Sequence, residues 1–480
     1  MQNHVAMPSA LDSADFVKFN SVERSATEQL AAFAADLQWD DIPAAVRERA
    51  KHLLIDIIGI GLAGSANPDF ARLADALAQL GAAPGVSLIG TASRLSPPNA
   101  ALFNGMVSHS LDWDDTHMAT INHASSVIVP TALAVGELRG ASVRDILTAM
   151  VAGYEVMLRV GLGIDPLDWW KHGLHGTSIL GVFGSAVTAG KLFGLSADEL
   201  MHAMGLAASQ ASGIQQYASP GEVNDAKRFH SGWPALCGVT AAGLAAGGLT
   251  APRQVLEGVR SLYKCYLGHA ARNENAIVAE LGSRWETLRI SVKVYPCCQG
   301  FQAPMEVTQR LRKRLGAVSP AAVGRIEIAV APGQQTLIQP VAGKRRPQSH
   351  SSAVIALQFC MGVMLARGRI TLADFSPQML EDQDVLAFAD LVDCSVDPNL
   401  PARHDGSKVK LTLRDGRELL EEVACYHGGP DNPLSPEGFR DKFMISAGSV
   451  LGKERTARLA DVLFSVEDKP SSVIYEALPA

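Results

Sequence analysis

The sequence lacks long apolar runs, is poor in aromatic residues and carries no excess of positive charge. The closest candidate for a membrane span, residues 238–249, is short and rich in Ala and Gly, whereas a spanning helix needs roughly 18 or more apolar residues. Of the 480 residues 47% are hydrophobic and only 19% are charged, which excludes a disordered chain. A net charge of −7 argues against general nucleic-acid binding, which needs a basic surface. We therefore expect a globular protein with no membrane or nucleic-acid partner.

Signals for export and for Walker-type nucleotide binding are also missing. The seven cysteines are odd in number and scattered, which is typical of a reduced intracellular protein rather than a disulfide scaffold. The first twenty residues contain no basic segment followed by an apolar stretch, so a cytoplasmic location is expected. No Walker lysine motif occurs, so nothing indicates that class of nucleotide chemistry.

Helical periodicity dominates the first part of the chain. Apolar residues recur at three- and four-residue spacing in residues 46–66, 99–111, 127–138, 143–162 and 179–193. Ser196 and Glu199 form a capping-box pattern that predicts the start of a helix over 197–212. Small residues such as Gly181 and Gly184 permit close packing of buried helices. The pattern predicts an all-helical domain over residues 1–288.

After Leu288 the period changes. Apolar residues alternate with polar ones in 290–294, 326–330 and 409–413, which predicts strands. The last run leads into Asp415-Gly416, a strong hairpin signal, with a partner strand near 418–425. Helical patterns at 302–315 and 353–367 lie between the strands. These features predict a smaller α+β domain over residues 289–425.

The tail, residues 426–480, returns to helical periodicity at 436–451 and 454–464. A helix-rich tail after a mixed α+β segment predicts that the C-terminus packs back on the first domain. The expected fold class is therefore mainly α: a large all-helical domain, a smaller α+β lid, and a tail that belongs to the helical domain.

The densest polar segment runs from His109 to His117 and contains Asp112, Asp114 and Asp115, with His123 close behind. Charged groups at this density cannot all be buried unpaired. The alternative is a solvated helix end with capping aspartates. Apolar flanks on both sides favour a polar pocket floor. A metal site is possible in principle, but the spacing shows neither EF-hand periodicity nor a His-x-x-x-His pair, so no metal is predicted.

Two further segments combine histidine with other polar groups. His175 precedes a long apolar helix, where the helix dipole would depress its pKa and offer N–H groups to an anion; a capping or core histidine is the alternative. Lys227, Arg228 and His230 lie between a Gly/Pro-containing loop and an Ala-rich helix. A carboxylate-binding site needs such cations, although a surface basic patch is equally consistent with the pattern.

The fourth segment is Lys293-Val-Tyr-Pro-Cys297-Cys298, at the end of the first predicted strand of the smaller domain. Neighbouring side chains on an extended strand point to opposite faces, so the two thiols cannot readily bind one ion. No Cys-x-x-Cys motif supplies the thiolates of an iron–sulfur cluster. Cys297 and Cys298 are therefore expected to be structural, and Lys293 is the residue of interest.

Taken together, these four segments resemble the MmgE/PrpD family, which includes 2-methylcitrate dehydratase and cis-aconitate decarboxylase. The resemblance implies a cleft between the helical domain and the lid, a homodimer, and neither a metal nor an organic cofactor. It places the active site on Asp112, Thr116, His123, His175, Lys227 and Lys293. Arg228, His117, Gln302 and Phe359 complete the expected substrate-binding set.

Gln302 and Phe359 depart from the family pattern. Many members have a histidine where this chain has Gln302, and the decarboxylase branch has a tyrosine where this chain has Phe359. Both changes remove a proton donor from the expected cleft. They favour dehydration over decarboxylation.

The leading hypothesis is a hydro-lyase that acts on a citrate-like tricarboxylate such as 2-methylcitrate, a reaction of propionate metabolism. Lys227, Lys293 and Arg228 would bind carboxylates, Thr116 would hydrogen-bond one of them, and Asp112 would orient a histidine. His123 and His175 would transfer protons, in either order. Three alternatives stay open: cis-aconitate decarboxylation, epimerisation of an amino-dicarboxylate, and a catalytically silent protein that only binds polycarboxylates.

Overall fold

The computed structural model describes residues 24–81, 85–218, 225–268, 273–401 and 405–479. Two apolar cores organise these residues. The larger core joins residues between Ala26 and Val292 to residues between Leu434 and Leu478, and the smaller core lies between Cys297 and Tyr426. The predicted fold class, mainly α with a smaller α+β domain and a returning tail, is confirmed.

The first domain is built from helices with two short strand pairs. Its helices are Ala26–Asp36 (α1), Ala44–Ser65 (α2), Asp69–Ala78 (α3), Pro97–Ser108 (α4), Ser125–Arg139 (α5), Val143–Leu162 (α6), Pro166–Lys171 (α7), Gly176–Phe193 (α8), Ala197–Ala208 (α9), Ala226–Ala246 (α10), Leu262–Leu267 (α11) and Glu274–Val278 (α12). Ser196 and Glu199 form the predicted capping box, although α9 ends at Ala208 rather than 212. Within the described residues no single helix is long and apolar enough to cross a membrane; α2 and α3, bent by 101°, meet that test only as a pair.

The centre of this domain is a close packing of α6, α8 and α10. A Cβ atom on Gly153 would lie 1.9 Å from Oγ1 of Thr188, and one on Gly238 would lie 1.9 Å from Oγ of Ser185. Glycine is therefore required where these helix backbones approach each other. The packing fixes the N-terminal ends of α8 and α10, and these ends carry His175 and Lys227.

Two short antiparallel ladders complete the helical domain. Strands β1 (Val86–Leu88) and β2 (Thr91–Leu95) pair with each other. Strands β3 (Thr116–His117) and β4 (Ile290–Ser291) pair through Thr116 with Ser291 and His117 with Ile290. The predicted strand over 290–294 was therefore too long, and it joins the helical domain rather than the lid sheet. This ladder brings the Asp112 loop beside Lys293.

The lid contains a four-stranded sheet of Val323–Val330 (β5), Val392–Val396 (β6), Ser407–Leu413 (β7) and Glu418–Val423 (β8). The strands lie in the order β6-β5-β7-β8. The helices of the lid are Gln302–Leu315 (α13), Gln335–Ile338 (α14), Val341–Arg345 (α15), His350–Ala353 (α16), Leu357–Arg367 (α17), Pro377–Leu380 (α18) and Gln383–Asp390 (α19). Strand β5 is parallel to β6 and antiparallel to β7. The predicted hairpin at Asp415-Gly416 joins β7 to β8.

The tail forms helices Pro436–Ser446 (α20), Gly448–Leu451 (α21), Lys453–Leu463 (α22) and Ser472–Ala477 (α23). It is attached to the helical domain by a buried ion pair in which Lys442 lies 2.9 Å from the carboxylate of Asp56 on α2. Lys442 also donates to the carbonyl of Trp113 at 3.0 Å. The tail thereby supports the loop that carries Asp112 and Asp114.

Candidate active site

The loop between α4 and α5 carries the densest set of acidic and histidine side chains. Its backbone is strained: Asp112 has a φ of 52° and Ile121 a φ of 53°, in the left-handed region that β-branched residues avoid. Each such residue costs on the order of 1–3 kcal/mol and persists only where its surroundings enforce it. Asp114 and Asp115 are fully buried in this loop. Such strain and burial are typical of a functional site.

Two lysines from distant segments converge on Asp112. The Lys293 ammonium donates to Oδ1 at 2.7 Å and to the main-chain carbonyl of Asp112 at 2.8 Å, while Lys227 lies 2.9 Å from Oδ2. Burial alone would raise the pKa of Asp112, but the two cations outweigh it and hold that pKa well below its usual range. Asp112 therefore holds lysines and not, as the sequence suggested, a histidine. The trio carries one net positive charge, and the Lys227 side chain is 30% exposed to an incoming anion.

His123 is fixed in one tautomer by the same loop. Its Nδ1 lies 2.7 Å from the main-chain carbonyl oxygen of Asp115 and 3.2 Å from Oγ1 of Thr116. A carbonyl oxygen only accepts, so the proton is on Nδ1, and Nε2 presents a lone pair. Burial lowers the pKa of His123 to about 3; nearby Asp114 opposes the shift and Lys293 adds to it. His123 is therefore a neutral proton acceptor in the free protein.

Behind His123, His109 and Asp114 form a buried pair. The Nδ1 atom of His109 lies 2.7 Å from Oδ2 of Asp114, and Nδ1 of His123 lies 3.8 Å from the same oxygen. Burial would raise the pKa of Asp114, but the two histidines hold it well below its usual range. The ligand atoms of this trio all lie within 4.8 Å of one another, and a His₂-carboxylate set suits a divalent transition metal. A separation of 2.7 Å is that of a hydrogen bond, so Nδ1 of His109 and Oδ2 of Asp114 satisfy each other. Nε2 of His109 and Oδ1 of Asp114, in contrast, are buried without a hydrogen-bond partner among the described residues.

His175 contacts a second histidine, His230. Its Nδ1 lies 3.1 Å from Nδ1 of His230, and the ring of Tyr217 stands edge-on to both imidazoles at 5.5 and 5.4 Å. Burial lowers the pKa of His175 well below its usual value, with His230 and His123 adding to the effect. The rings of His175 and His123 are 6.4 Å apart. Two neutral imidazoles thus lie close to each other and within electrostatic reach of Lys227.

The six predicted active-site positions lie together in this cluster. They are Asp112, Thr116, His123, His175, Lys227 and Lys293. All except Lys293 belong to the helical domain, and Lys293 follows β4. The cluster combines cations that can bind carboxylates with imidazoles that can accept or return a proton.

Comparison with known proteins identifies the family of this chain. The MmgE/PrpD N-terminal domain matches residues 28–274, and the MmgE/PrpD C-terminal domain matches residues 295–466. The chain belongs to the MmgE/PrpD family.

Curated relatives of two named activities resemble this MmgE/PrpD protein. The cis-aconitate decarboxylase-like protein oryM of Aspergillus oryzae is 28% identical over 93% of this chain and 95% of its own length. The cis-aconitate decarboxylase of Homo sapiens is 26% identical over 93% of this chain and 92% of its own. The 2-methylcitrate dehydratase of Escherichia coli K12 is 22% identical over 86% of this chain and 89% of its own.

Two predicted substrate-binding residues are engaged away from the cluster. Both ring nitrogens of His117 have partners: Nδ1 meets Thr120 at 2.9 Å and Nε2 meets Glu286 at 3.1 Å. His117 therefore joins the loop to the β4 segment rather than facing the cleft. Arg228 pairs with Asp225 at 3.2 Å and lies over the ring of a phenylalanine on α3. Its guanidinium is thus directed toward α3, and only its charge acts on the cleft.

Gln302 and Phe359, the two departures from the family pattern, are buried in the lid. The Gln302 amide accepts from the N–H groups of Val294 and Tyr295 at 2.9 and 3.0 Å and donates to the Tyr295 carbonyl at 3.0 Å. It fixes the loop after Lys293. Phe359 is fully buried in the lid core and packs near Phe375. The described contacts of both side chains lie in the lid and in the loop after Lys293, and the expectation that they bind substrate stays a prediction.

Several residues near the cluster were not predicted as site residues. The thiol of Cys298, expected to be structural, has its pKa raised to about 11, chiefly by burial and also by Asp112, with Lys293 and Lys227 opposing. His350 on the lid feels the charges of Asp112, Arg228 and Lys227, and its Nε2 is buried without a hydrogen-bond partner among the described residues. His109, Asp114 and His230 were present in the quoted motifs, so their density of ionisable groups was the available signal. His350 had no such signal.

Proposed function

We propose that this MmgE/PrpD protein is a lyase that abstracts a proton next to a carboxylate of a citrate-like tricarboxylate, with dehydration of 2-methylcitrate as the leading reaction. The observation that carries the proposal is the tautomer of His123, whose Nδ1 is bound by the Asp115 carbonyl at 2.7 Å. Nε2 is then a proton acceptor beside two lysines. The relatives named 2-methylcitrate dehydratase support the substrate class.

The proposed elimination involves one proton transfer to His123 and one from His175. Nε2 of His123 takes the α-proton, and the electron pair of the broken C–H bond forms the C=C bond. The C–O bond breaks, and the departing hydroxide leaves as water with a proton from Nε2 of His175, which must enter this step as an imidazolium, protonated when the polyanionic substrate binds, and leaves it neutral. Lys227 and Lys293 stabilise the negative charge of the enolate-like transition state, where preorganised donors have the largest effect. A trianionic substrate also offsets the positive charge of both lysines, which raises the pKa of His123 toward the range useful for a general base.

A second candidate reaction is decarboxylation of cis-aconitate. In this reaction the C–C bond to a carboxylate breaks and the carboxylate carbon leaves as CO₂. A histidine then protonates the remaining carbon, which keeps the electron pair of the broken bond. The relatives of 26–28% identity that cover 93% of the chain favour it. The burial of Gln302 and Phe359 also weakens the sequence argument against decarboxylation, because the described contacts of both residues lie away from His123 and His175.

The test is turnover of three substrates by protein treated with a chelator: 2-methylcitrate, citrate and cis-aconitate. Absorbance of a new C=C bond without CO₂ supports the hydro-lyase, and CO₂ released from cis-aconitate supports the decarboxylase. His123→Gln should lower turnover at least about 100-fold, whereas His172→Gln, at an exposed histidine, should change it less than twofold. Turnover by His123→Gln within tenfold of wild type contradicts the proposal, and carboxylate binding without turnover supports a silent binding protein. Activity that is lost with the chelator and restored by a divalent ion assigns a metal to the His109–Asp114–His123 trio.

The homodimer, the absence of a cofactor and the link to propionate metabolism stay predictions that rest on the family, and the cytoplasmic location stays a prediction from the sequence. Light scattering on the purified chain tests the dimer directly. An amino-dicarboxylate epimerase would be detected as exchange of the α-hydrogen with deuterated water, without a change in absorbance or release of CO₂.

A further inference from the structure

The contact between His175 and His230 has a consequence for proton transfer. The two Nδ1 atoms are 3.1 Å apart, and the rings are 4% and 6% exposed. A hydrogen bond between two imidazole nitrogens contains one hydrogen, so one ring donates and the other accepts. When one ring carries its proton on Nδ1, the other must carry its proton on Nε2. The protonation sites of the two residues are therefore coupled.

The direction of this bond follows from the role of His175. An imidazolium has N–H groups at both nitrogens and no lone pair, so a protonated His175 can keep this contact only as the donor. His230 must then accept at Nδ1 and carry its own proton on Nε2. After His175 gives up the proton on Nε2, the same bond persists with Nδ1–H of His175 as donor. The pair thus needs no rearrangement during proton transfer.

We infer that His230 is a positioning residue that holds the proton of neutral His175 on Nδ1 and so makes Nε2 the nitrogen that exchanges a proton with substrate. The inference rests on the proposed function of His175 as the acid. His230 is recruited by the packing of α10 beside α8, and the edge-on ring of Tyr217 closes both imidazoles in from one side. Other ionisable groups around His175 are His109, His123 and Lys227; none of these three has a hydrogen bond to its ring among the described residues.

The proposal adds a second fixed imidazole to the site. Nδ1 of His123 is bound by a main-chain carbonyl, and Nδ1 of His175 is bound by the acceptor nitrogen of His230. Both catalytic candidates would then present Nε2 to the substrate. The difference is that a carbonyl oxygen can never become a donor, whereas His230 would become one if its proton moved to Nδ1. His230 is therefore the point at which a substitution can change the tautomer of a candidate catalytic residue without removing that residue.

Three substitutions at His230 test this role. The amide of asparagine reaches the position of Nδ1 and supplies an acceptor there, so His230→Asn should keep kcat within about fivefold of wild type. Glutamine places its amide near Nε2, and phenylalanine has no acceptor, so H230Q and H230F should lower kcat at least about tenfold. The KM should stay within about threefold in all three variants, because His230 acts through His175 and not on the substrate. Equal losses in H230N and H230F, or a change confined to KM, would overturn the inference.

Two further measurements separate this inference from the proposed function. In ¹⁵N-histidine NMR spectra of the substrate-free protein, His230 should show a protonated Nε2 and an unprotonated Nδ1, and H230F should remove these signals. A His230 protonated at Nδ1 overturns the inference whether or not any substrate is turned over. In a double-mutant cycle, H230F should add less than about twofold to the loss caused by His175→Gln. Additive losses would show that His230 acts independently of His175.

Discussion

The charge balance around Asp112 gives a prediction that combines stability with ligand binding. Asp112→Asn leaves two ammonium groups that were held 2.7 and 2.9 Å from one carboxylate, and one of them, Lys293, is fully buried. Removing one partner of a buried ion pair costs roughly 3–5 kcal/mol, because the remaining charge stays desolvated and unpaired. Lys227 is partly exposed, so we expect a loss near the lower limit, about 3 kcal/mol. At about 2 °C per kcal/mol for a domain of this size, the melting temperature should fall by about 6 °C.

A polycarboxylate should reverse this loss. Citrate would supply the anion that Asp112 no longer provides, and it would no longer meet the repulsion of a carboxylate in the site. Two like charges about 4 Å apart repel by up to about 4 kcal/mol at an effective dielectric constant near 20. We therefore expect citrate to bind D112N at least about tenfold more tightly than wild type and to raise its melting temperature more. Turnover should nevertheless fall, because the lysines lose their fixed positions.

The control is Asp225→Asn, which removes an exposed carboxylate that also pairs with a cation, Arg228 at 3.2 Å. Exposed pairs contribute about 0–1 kcal/mol, so this variant should melt within about 2 °C of wild type and bind citrate unchanged. Thermal unfolding followed by fluorescence, with and without citrate, measures both effects. If D112N is as stable as the control, or binds citrate more weakly than wild type does, the reasoning about the lysine–carboxylate trio is refuted.

Two more predictions concern buried charges of the helical domain. Burial raises the pKa of Asp56 and lowers that of Lys442 in spite of their pairing. Lys442→Met alone should therefore lower the free energy of unfolding by about 3–5 kcal/mol, and adding Asp56→Leu should restore most of that loss. Urea unfolding measures both variants, and a double variant that loses the sum of the two single losses would contradict this. Burial lowers the pKa of His52, which stacks on Phe439, to about 4 despite nearby Glu48. The neutral His52 therefore contributes its full stability above pH 6.5, and this contribution is lost as the pH falls toward 4. Between these pH values the free energy of unfolding of wild type should fall by about 1.4 kcal/mol per pH unit relative to His52→Phe. A difference between the two proteins that does not change with pH would refute the assignment.

Periodicity predicted the elements whose burial is one-sided or complete. Helix α6 begins and ends at the predicted residues, and so does α13, because both have long, regular apolar patterns. Strand β6 was not predicted, although Val392, Cys394 and Val396 alternate with polar residues; the run has only five residues, and Val392 alone is buried. The strand predicted over 290–294 has real alternation, but its backbone pairs with β3 for two residues and then bonds Gly428 from Val292. The apolar pattern of one strand does not show where its hydrogen-bonding partner changes.

The candidate site was predicted in composition but not in connectivity. The density of ionisable groups around Asp112 and His123 identified the right segments, because such groups cannot be buried without partners. Which partners they take depends on contacts across the fold: Asp112 and Lys293 are 181 positions apart and meet through a ladder of two residue pairs. The expected pairing of Asp112 with a histidine was therefore wrong, and His117 was placed in the cleft although its two nitrogens are bound elsewhere. Tautomers depend on the same long-range contacts and could not be read from spacing.

The proposed acid–base residues and the ionisable residues of the lid lie in different parts of the fold. If His123 and His175 transfer the protons, the acid–base chemistry is carried by the α4–α5 loop and the start of α8, which the packed helices α6, α8 and α10 hold in place. The lid contributes His350 and Cys298, which lie within electrostatic reach of Asp112 and Lys227. In the part of the chain that the structure describes, neither is hydrogen-bonded to His123 or His175. Changes in the lid should then alter which polycarboxylate fits and leave the proton transfers intact.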